Sequence, residues 1–304
     1  MEQKQYKELV KLFNKLIEQT PKSLESKEIV NPIIEITTNI LKQGCPNKCM
    51  FCPHETVALS YKGENQQLSL DDFIKVLDKI PKHLGIVFSG FSEPFVNKQC
   101  TDMVLYANSQ GRKISLYTTG YGMTIEDVDR IKNIPFDSGA NRGFMLHIPD
   151  NESFFKFPKI KGYLEVLRYL KDMSSEIMNF WAITMGAPHN NIKHLFPEAN
   201  TCYLFNRAGN LEKEVLLRKE LMLHKNKYTS VYNKEGEYSC NRTEGFDKMV
   251  LLPNGDVTTC CQDYSLENIV GNLFTQYYED IIPAPGSTFN LCRFCEHGIL
   301  KEQK

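Results

Sequence analysis

Three cysteines stand close together in the run Cys45-Pro-Asn-Lys-Cys49-Met-Phe-Cys52. Thiolates held this closely in one loop can grip one inorganic cluster, and short cysteine runs are a common way to ligate iron and sulfur. Three of them leave a four-iron cluster with one iron that has no protein ligand. Such an iron is a place for chemistry, so the spacing points to an enzyme rather than a structural knot. Structural zinc is the competing reading, and it usually takes four ligands, commonly as two close pairs. Here the first pair is separated by three residues and the second by two, and no fourth ligand follows soon, although His54 is near enough to compete. A disulfide framework would leave one thiol of the loop over. The start, Met-Glu-Gln-Lys-Gln-Tyr, also lacks the apolar core of a signal peptide.

A second group of cysteines lies near the other end: Cys240, Cys260, Cys261, Cys292 and Cys295. Ten cysteines in a chain with no secretory signal suggest metal binding or redox chemistry in a reducing cytoplasm rather than bridges. The charges nearly cancel, 36 basic against 37 acidic residues for a net charge of −1. That balance gives no electrostatic case for nucleic acid or for an anionic membrane. No apolar run of about 18 residues offers a membrane span.

The elements that must position these thiols can be read from hydrophobic period and capping residues. Residues 6–18 repeat apolar positions at helical spacing and predict a packing helix. Ile33–Thr38 predicts a buried strand with the first cysteine loop directly behind it. Strands are predicted over Leu84–Ser89, Lys113–Thr119, Gly143–His147, Asn179–Met185 and Thr201–Asn206. Helices are predicted from Ser69, over Cys100–Gln110, from Thr124 and over Ile160–Asp172. Alternation of this kind argues for a parallel sheet with crossover helices, here an α/β partial (β/α)6 barrel of the TIM type. Ligands collect at the carboxyl ends of such strands, and the cysteine loop sits at one of them. Residues 208–239, rich in Lys and Glu, read as a helical connector. Met249–Cys260 reads as a hairpin turning at Asn254-Gly255. The expected division is therefore 1–30 as an N-terminal helical segment, 31–207 as the barrel, 208–239 as a linker and 240–304 as a small cysteine-rich β-hairpin/helix domain.

With Cys45-x-x-x-Cys49-x-x-Cys52 placed after the first strand of a βα array, the sequence resembles the radical S-adenosylmethionine (SAM) superfamily. Ser89-Gly-Phe-Ser-Glu-Pro94 after the second strand is similar to the family's Gly-Gly-Glu segment, with Phe91-Ser92 in place of the second glycine. Tyr117-Thr-Thr-Gly120 resembles the Thr-Asn-Gly stretch that ends the third strand in relatives, with Thr119 for Asn. The resemblance implies that Cys45, Cys49 and Cys52 hold a [4Fe–4S] cluster whose open iron is chelated by SAM. It implies that Gly90, Glu93, Thr118 and Thr119 line the SAM site, with Glu93 on the amino group and Phe51 beside adenine. One electron then splits SAM into methionine and a 5′-deoxyadenosyl radical, which takes hydrogen from a substrate C–H.

The C-terminal cysteines are similar to the SPASM/Twitch extension of this superfamily. The resemblance implies a second, auxiliary [4Fe–4S] cluster on Cys240, Cys260, Cys292 and Cys295, with structural zinc on the same four as the competing reading. Neighbours on a strand point to opposite faces, so Cys261 is expected to point away from Cys260. It is a candidate hydrogen-atom donor to a substrate radical, or else a small buried hydrophobe. Cys100 and Cys202 lie on predicted core elements and read as packing residues. His147 ends a strand on the presumed active face and could contact SAM or substrate. Arg207 ends the sixth strand, where a fixed guanidinium could pair a carboxylate. Glu35 on the first strand is expected to point into the barrel and to need a partner. The expected activity is that of an oxidoreductase or epimerase acting on a small hydroxyl-rich molecule: a sugar, aminocyclitol or nucleoside. A reducing partner such as flavodoxin or ferredoxin would supply the electron. A ribosomal-peptide maturase is the second reading, ranked lower because few residues precede the first strand. A non-catalytic protein with two zinc sites is the third.

Overall fold

The computed structural model describes residues 33–138, 142–202, 204, 206–211, 236–240, 248–283, 289–295 and 297–300. The helix expected over 6–18 and most of the expected connector lie outside these residues. Asn31–Lys304 forms one compact unit.

The barrel half is built from β1 (Ile33–Ile36), α1 (His54–Ser60), α2 (Leu70–Leu77), β2 (Gly85–Phe88), α3 (Cys100–Ser109), β3 (Ile114–Thr118), α4 (Ile125–Ile131), β4 (Phe144–His147), α5 (Tyr163–Asp172), β5 (Phe180–Thr184) and β6 (Asn200–Thr201). Six strands pair in sequence order and all in parallel, with Ile33 opposite Gly85, Ile86 opposite Ile114, Leu116 opposite Phe144, Phe144 opposite Phe180 and Ile183 opposite Asn200. Parallel neighbours need long crossovers, and capped helices supply them. The Ser69 hydroxyl accepts from the Asp72 amide at the start of α2. Thr124 and Asp127 form a reciprocal capping box on α4. Ile34, Ile86, Phe88, Leu116, Phe144 and Leu146 from the strands meet Phe73, Val104, Val128 and Leu167 from the helices in one core. Burying each such side chain contributes about 1.5–3 kcal/mol.

The sixth strand is shorter than its expected range of Thr201–Asn206. Arg207 and Ala208 take left-handed backbone, φ 53° and 51°, and the Gly209 amide closes a turn on the Asn206 carbonyl at 3.1 Å. The chain therefore turns over directly after the expected end of the strand.

The C-terminal part adds β7 (Tyr238–Cys240), β8 (Lys248–Leu251), β9 (Asp256–Thr258), β10 (Ile269–Asn272), α6 (Tyr278–Ile281), a 3-10 turn at Asn290–Arg293 and β11 (Gly298–Leu300). The expected hairpin is there, but it does not stand apart. β8 pairs in parallel with β1, Ile33 opposite Lys248 and Ile36 opposite Leu251, so the barrel sheet runs on through β8, β9 and β10. Among the described residues this gives a nine-stranded sheet, beside a two-stranded one of β7 and β11.

The hairpin turn requires its glycine. Gly255 has φ +86°, and an added Cβ would lie 2.6 Å from Phe274 Cγ and 2.7 Å from Asn272 Oδ1. Gly255→Ala is expected to destabilise the cluster-free chain by about 1–3 kcal/mol, the usual cost of a strained backbone position. Urea denaturation would read this as an earlier midpoint, and an unchanged midpoint would refute the turn's requirement.

Candidate functional site

The carboxyl ends of β1, β2, β3 and β4 bring the expected site residues together. The loop after β1 carries the three cysteines, with Cys49 buried and Cys45 and Cys52 half-buried. It is held as a series of tight turns, with the Cys52 amide on the Cys49 carbonyl at 3.1 Å and the His54 amide on the Cys52 carbonyl at 2.8 Å. A strut comes from the loop after β4, whose Phe154 carbonyl accepts the Met50 amide at 2.8 Å. That loop is itself folded round the buried Asp150 carboxylate, which accepts the Phe154 and Phe155 amides at 2.9 and 2.8 Å. Cys49, Phe51, Phe154, Phe155, Met185 and Leu204 then form a small apolar wall, with Cys202 packed at its edge.

The three thiols share one electrostatic neighbourhood. Burial pushes the Cys49 thiol well above its ordinary value, and the nearby Cys52, Cys45, Glu93 and Asp150 charges add to the shift. Cys52 is pushed up to about 12 by burial and by Cys45, against the pull of Arg207 and a hydrogen bond from Tyr264. Burial also raises Cys45, opposed by contacts from the Asn47 and Glu93 amides and the Ser92 hydroxyl. Three mutually repelling thiols in a buried loop suit a multi-iron cation, which must displace their protons on binding. Among the described residues no three His, Cys, Asp or Glu side chains are placed to hold a single metal ion. The His54 ring is pressed beside Gly44 instead, and burial lowers its pKa.

Glu93 is the hub of the next layer. Its carboxylate accepts from Thr118 Oγ1 at 2.5 Å, from Thr119 N and Oγ1 at 2.7 Å each, and from Phe95 N at 3.4 Å. Thr119 Oγ1 in turn accepts from Asn47 Nδ2 at 2.9 Å, which ties the ends of β2 and β3 to the cysteine loop. Burial pushes the Glu93 carboxyl up, and the hydrogen bonds from Thr118, Thr119 and Phe95 oppose that rise. Asn47 Oδ1 is buried without a partner among the described residues, an acceptor beside Glu93 suited to an ammonium group. Gly90 is required here: its φ is +75°, and a Cβ would sit 2.0 Å from Thr37 Oγ1. Phe91 is buried against Tyr264.

Phe51 and His147 stack almost parallel, 4.9 Å between centroids and 5° between planes, and His147 meets the edge of Phe155 at 6.0 Å. Arg207 Nε donates to the Phe51 carbonyl at 3.4 Å, so its left-handed backbone aims the guanidinium back at the cysteine loop. The Glu35 carboxylate finds its partner in Ser89 Oγ at 2.8 Å. Cys100, the first residue of α3, is wholly buried in the core.

The C-terminal cysteines are gathered by chain pairing. β7 and β11 place Cys240 opposite Gly298, and Cys292 feels the Cys240 charge. Cys260 feels Cys295. Cys261 departs from its expected placement. β9 ends at Thr258, both cysteines lie in the turn that follows, and their thiols hydrogen-bond one another. Strand alternation does not apply once the strand has ended. Gln262 Nε2 reaches Cys261 Sγ at 3.7 Å. The turn is organised by the buried Asp263, which accepts from Thr258 Oγ1, Asn268 N at 2.9 Å and Asn268 Nδ2 at 3.1 Å. Sequence reading missed Asn47, Asp150, Asp263 and Tyr264. Asn47, inside the cysteine run, is the one with a positional signal.

A parallel βα barrel with a thiol loop at its strand ends, and a second cysteine group beside it, fits an α/β protein that carries iron–sulfur clusters. Residues 39–196, just over half of the chain, match the model of the Radical SAM superfamily. Residues 240–296 match SPASM, the iron–sulfur cluster-binding domain. The fold is similar to that of BtrN in complex with AdoMet and 2-DOIA, at 16% identity and a TM-score of 0.50 over 82% of this chain and 81% of that one. It is also similar to Streptococcus suis SuiB bound to precursor peptide SuiA, at 12% identity and a TM-score of 0.54 over 86% and 69% of the two chains. The chain belongs to the radical SAM superfamily and is a radical SAM enzyme with a SPASM domain. Its cofactors are a [4Fe–4S] cluster with SAM and auxiliary iron–sulfur. No helix among the described residues is long and apolar enough to cross a membrane.

Proposed function

We propose that this enzyme acts on a C–H bond of a small hydroxyl-rich molecule (a sugar, aminocyclitol or nucleoside) and dehydrogenates or epimerises it. Held by Cys45, Cys49 and Cys52, the first cluster with SAM supplies a 5′-deoxyadenosyl radical when a donor such as flavodoxin or ferredoxin provides an electron. Glu93 and Asn47 offer acceptors for the SAM amino group, Arg207 a cation for its carboxylate, and the Phe51–His147 pair a flat apolar face for adenine. Cys240, Cys260, Cys292 and Cys295 hold the auxiliary cluster.

One observation carries the substrate class. The Tyr264 hydroxyl has Cys52, Arg207, Cys261 and Glu35 within its electrostatic reach. Polar groups in a low-dielectric interior discriminate strongly for a compact substrate that offers them further hydrogen bonds, and two of these are already held in place, Glu35 by Ser89 and Arg207 by the Phe51 carbonyl. The fold by itself hosts both small molecules and peptides, since the BtrN complex holds 2-DOIA and the SuiB complex a precursor peptide.

Cys261 and Cys52 both pack at the edge of the cluster that holds Tyr264 and Phe91. In epimerisation the Cys261 S–H bond breaks as a new C–H bond forms on the substrate radical. The sulfur radical then regains an electron and a proton through the external reductant. In dehydrogenation the auxiliary cluster that Cys240, Cys260, Cys292 and Cys295 would hold would supply an acceptor for the substrate radical's electron, and solvent would take its proton. Anaerobic turnover in D2O with SAM, reductant and a panel of polyols and aminocyclitols tests this. Solvent deuterium in the recovered product, lost in Cys261→Ala, is expected for epimerisation. An oxidised product without exchange assigns dehydrogenation. Turnover with peptides alone would sink the small-molecule reading.

A further inference from the structure

Tyr264 belongs to the cysteine-rich segment yet reaches the first cysteine loop. It lies in the turn that follows Cys260 and Cys261, with its amide on the Gln262 carbonyl at 3.0 Å, and it is 5% exposed. Its ring meets Phe91 edge-on, 5.1 Å between centroids at 65°. Ile40, Val57, Val250 and Leu252 complete its packing. Two anchors therefore aim the side chain: Phe91 sets the ring, and the hydrogen-bonded Asp263 carboxylate sets the backbone. A buried tyrosine hydroxyl needs a partner; the Cys52 side chain packs against the same cluster as the Tyr264 ring, and its sulfur is the partner that the hydroxyl meets.

We infer that Tyr264 is a positioning residue that donates a hydrogen bond to Cys52 Sγ and so sets how readily the first cluster accepts its electron. The inference rests on Cys52 being a ligand of that cluster. The physics follows from charge. One electron from an external low-potential donor adds a negative charge to the cluster and its thiolates. A donor pointed at a ligating sulfur stabilises the reduced state more than the oxidised one, so it raises the potential. A packing role alone would be met equally well by phenylalanine. The hydroxyl is what phenylalanine lacks, and its effect is read in the potential rather than in the fold. The residue also joins the two cysteine groups mechanically, since the turn that carries Cys260 and Cys261 supplies the donor for Cys52.

The test is a redox titration of the reconstituted full chain, followed by electron paramagnetic resonance. The first cluster is recognised as the signal that changes when SAM is added. In Tyr264→Phe this signal is expected to shift its reduction equilibrium roughly tenfold toward the oxidised form, which is about 59 mV more negative for one electron. Iron and sulfide content and the auxiliary midpoint should stay unchanged. An unmoved or more positive midpoint overturns the inference. Should Tyr264→Phe fail to retain iron, 3-fluorotyrosine at position 264 provides a stronger donor of nearly the same shape. Its midpoint should then move positive, and no movement overturns the inference. Cys52→Ala separates the two layers of the argument. Survival of the SAM-responsive signal in that variant removes Cys52 as a ligand and the inference with it. Loss of the signal there, with an unmoved Tyr264→Phe midpoint, leaves the ligand assignment standing and removes Tyr264 alone.

Discussion

Replacing Cys49 with alanine is expected to remove one of the two clusters, about four of about eight irons per chain, and to drop 5′-deoxyadenosine formation to background. Cys49 is the middle thiol of the loop and the most deeply buried, with Cys45 and Cys52 both acting on it. A three-point grip on a four-iron cluster leaves no spare ligand, so losing one thiolate removes the grip rather than weakening it. The fold should survive the change. Alanine is apolar and smaller, its neighbours Phe51, Phe154 and Phe155 are apolar, and a void of about one methyl group costs on the order of 1 kcal/mol. Loss of iron with an unchanged circular dichroism spectrum thus separates ligation from folding. Cys100→Ala is the matched control, since Cys100 is also buried but packs in the helix–sheet core; its iron content should equal that of the parent chain. Full iron content in Cys49→Ala would show that this loop does not hold the cluster. Stoichiometric zinc without sulfide in the parent chain would falsify the enzyme reading altogether.

The barrel was legible because each of its elements is a local pattern. Apolar runs of strand length, capping residues at Ser69 and Thr124, and the position of the cysteine run after the first strand are all written over a few neighbouring residues. What was not legible is long-range or side-chain specific. The pairing of β1 with β8 joins residue 33 to residue 248. Nothing in either four-residue run encodes the other, and an isolated hairpin and a hairpin that extends a sheet have the same alternation. The Cys260–Cys261 contact was missed because strand alternation was carried three residues past the end of β9. Tyr264 had no spacing to mark it among fourteen tyrosines. Its importance comes from where Asp263 turns the chain and where Phe91 stops its ring, and both are facts of tertiary packing. Glu93 lies between these cases. Its place after the second strand was legible, whereas its enclosure by Thr118 and Thr119 was not.

That enclosure makes Glu93→Gln the sharpest test of the SAM site. The Thr118 hydroxyl already accepts the Gly120 amide at 2.9 Å, and the Thr119 hydroxyl already accepts from Asn47 at 2.9 Å. Each therefore has one proton to give, and each gives it to Glu93. A glutamine amide must place its N–H group against at least one of these donors. One buried donor then loses its acceptor, at a cost of about 1–3 kcal/mol. The charge is lost as well, and with it the carboxylate partner offered to an ammonium group. A charge-assisted hydrogen bond is worth about 1.5–3 kcal/mol, which is roughly 10- to 100-fold in affinity. The expected result is a variant that keeps its iron, unfolds somewhat earlier, and needs roughly 10- to 100-fold more SAM to change the first cluster's magnetic resonance signal. Iron should be kept because the Glu93 backbone amide, which the change leaves in place, makes the hydrogen bond to Cys45, whereas the carboxylate acts on that thiol through its charge alone. SAM affinity equal to that of the parent would reduce Glu93 to a strut between strand ends. Loss of iron together with SAM affinity would show instead that the carboxylate network holds the cysteine loop in shape.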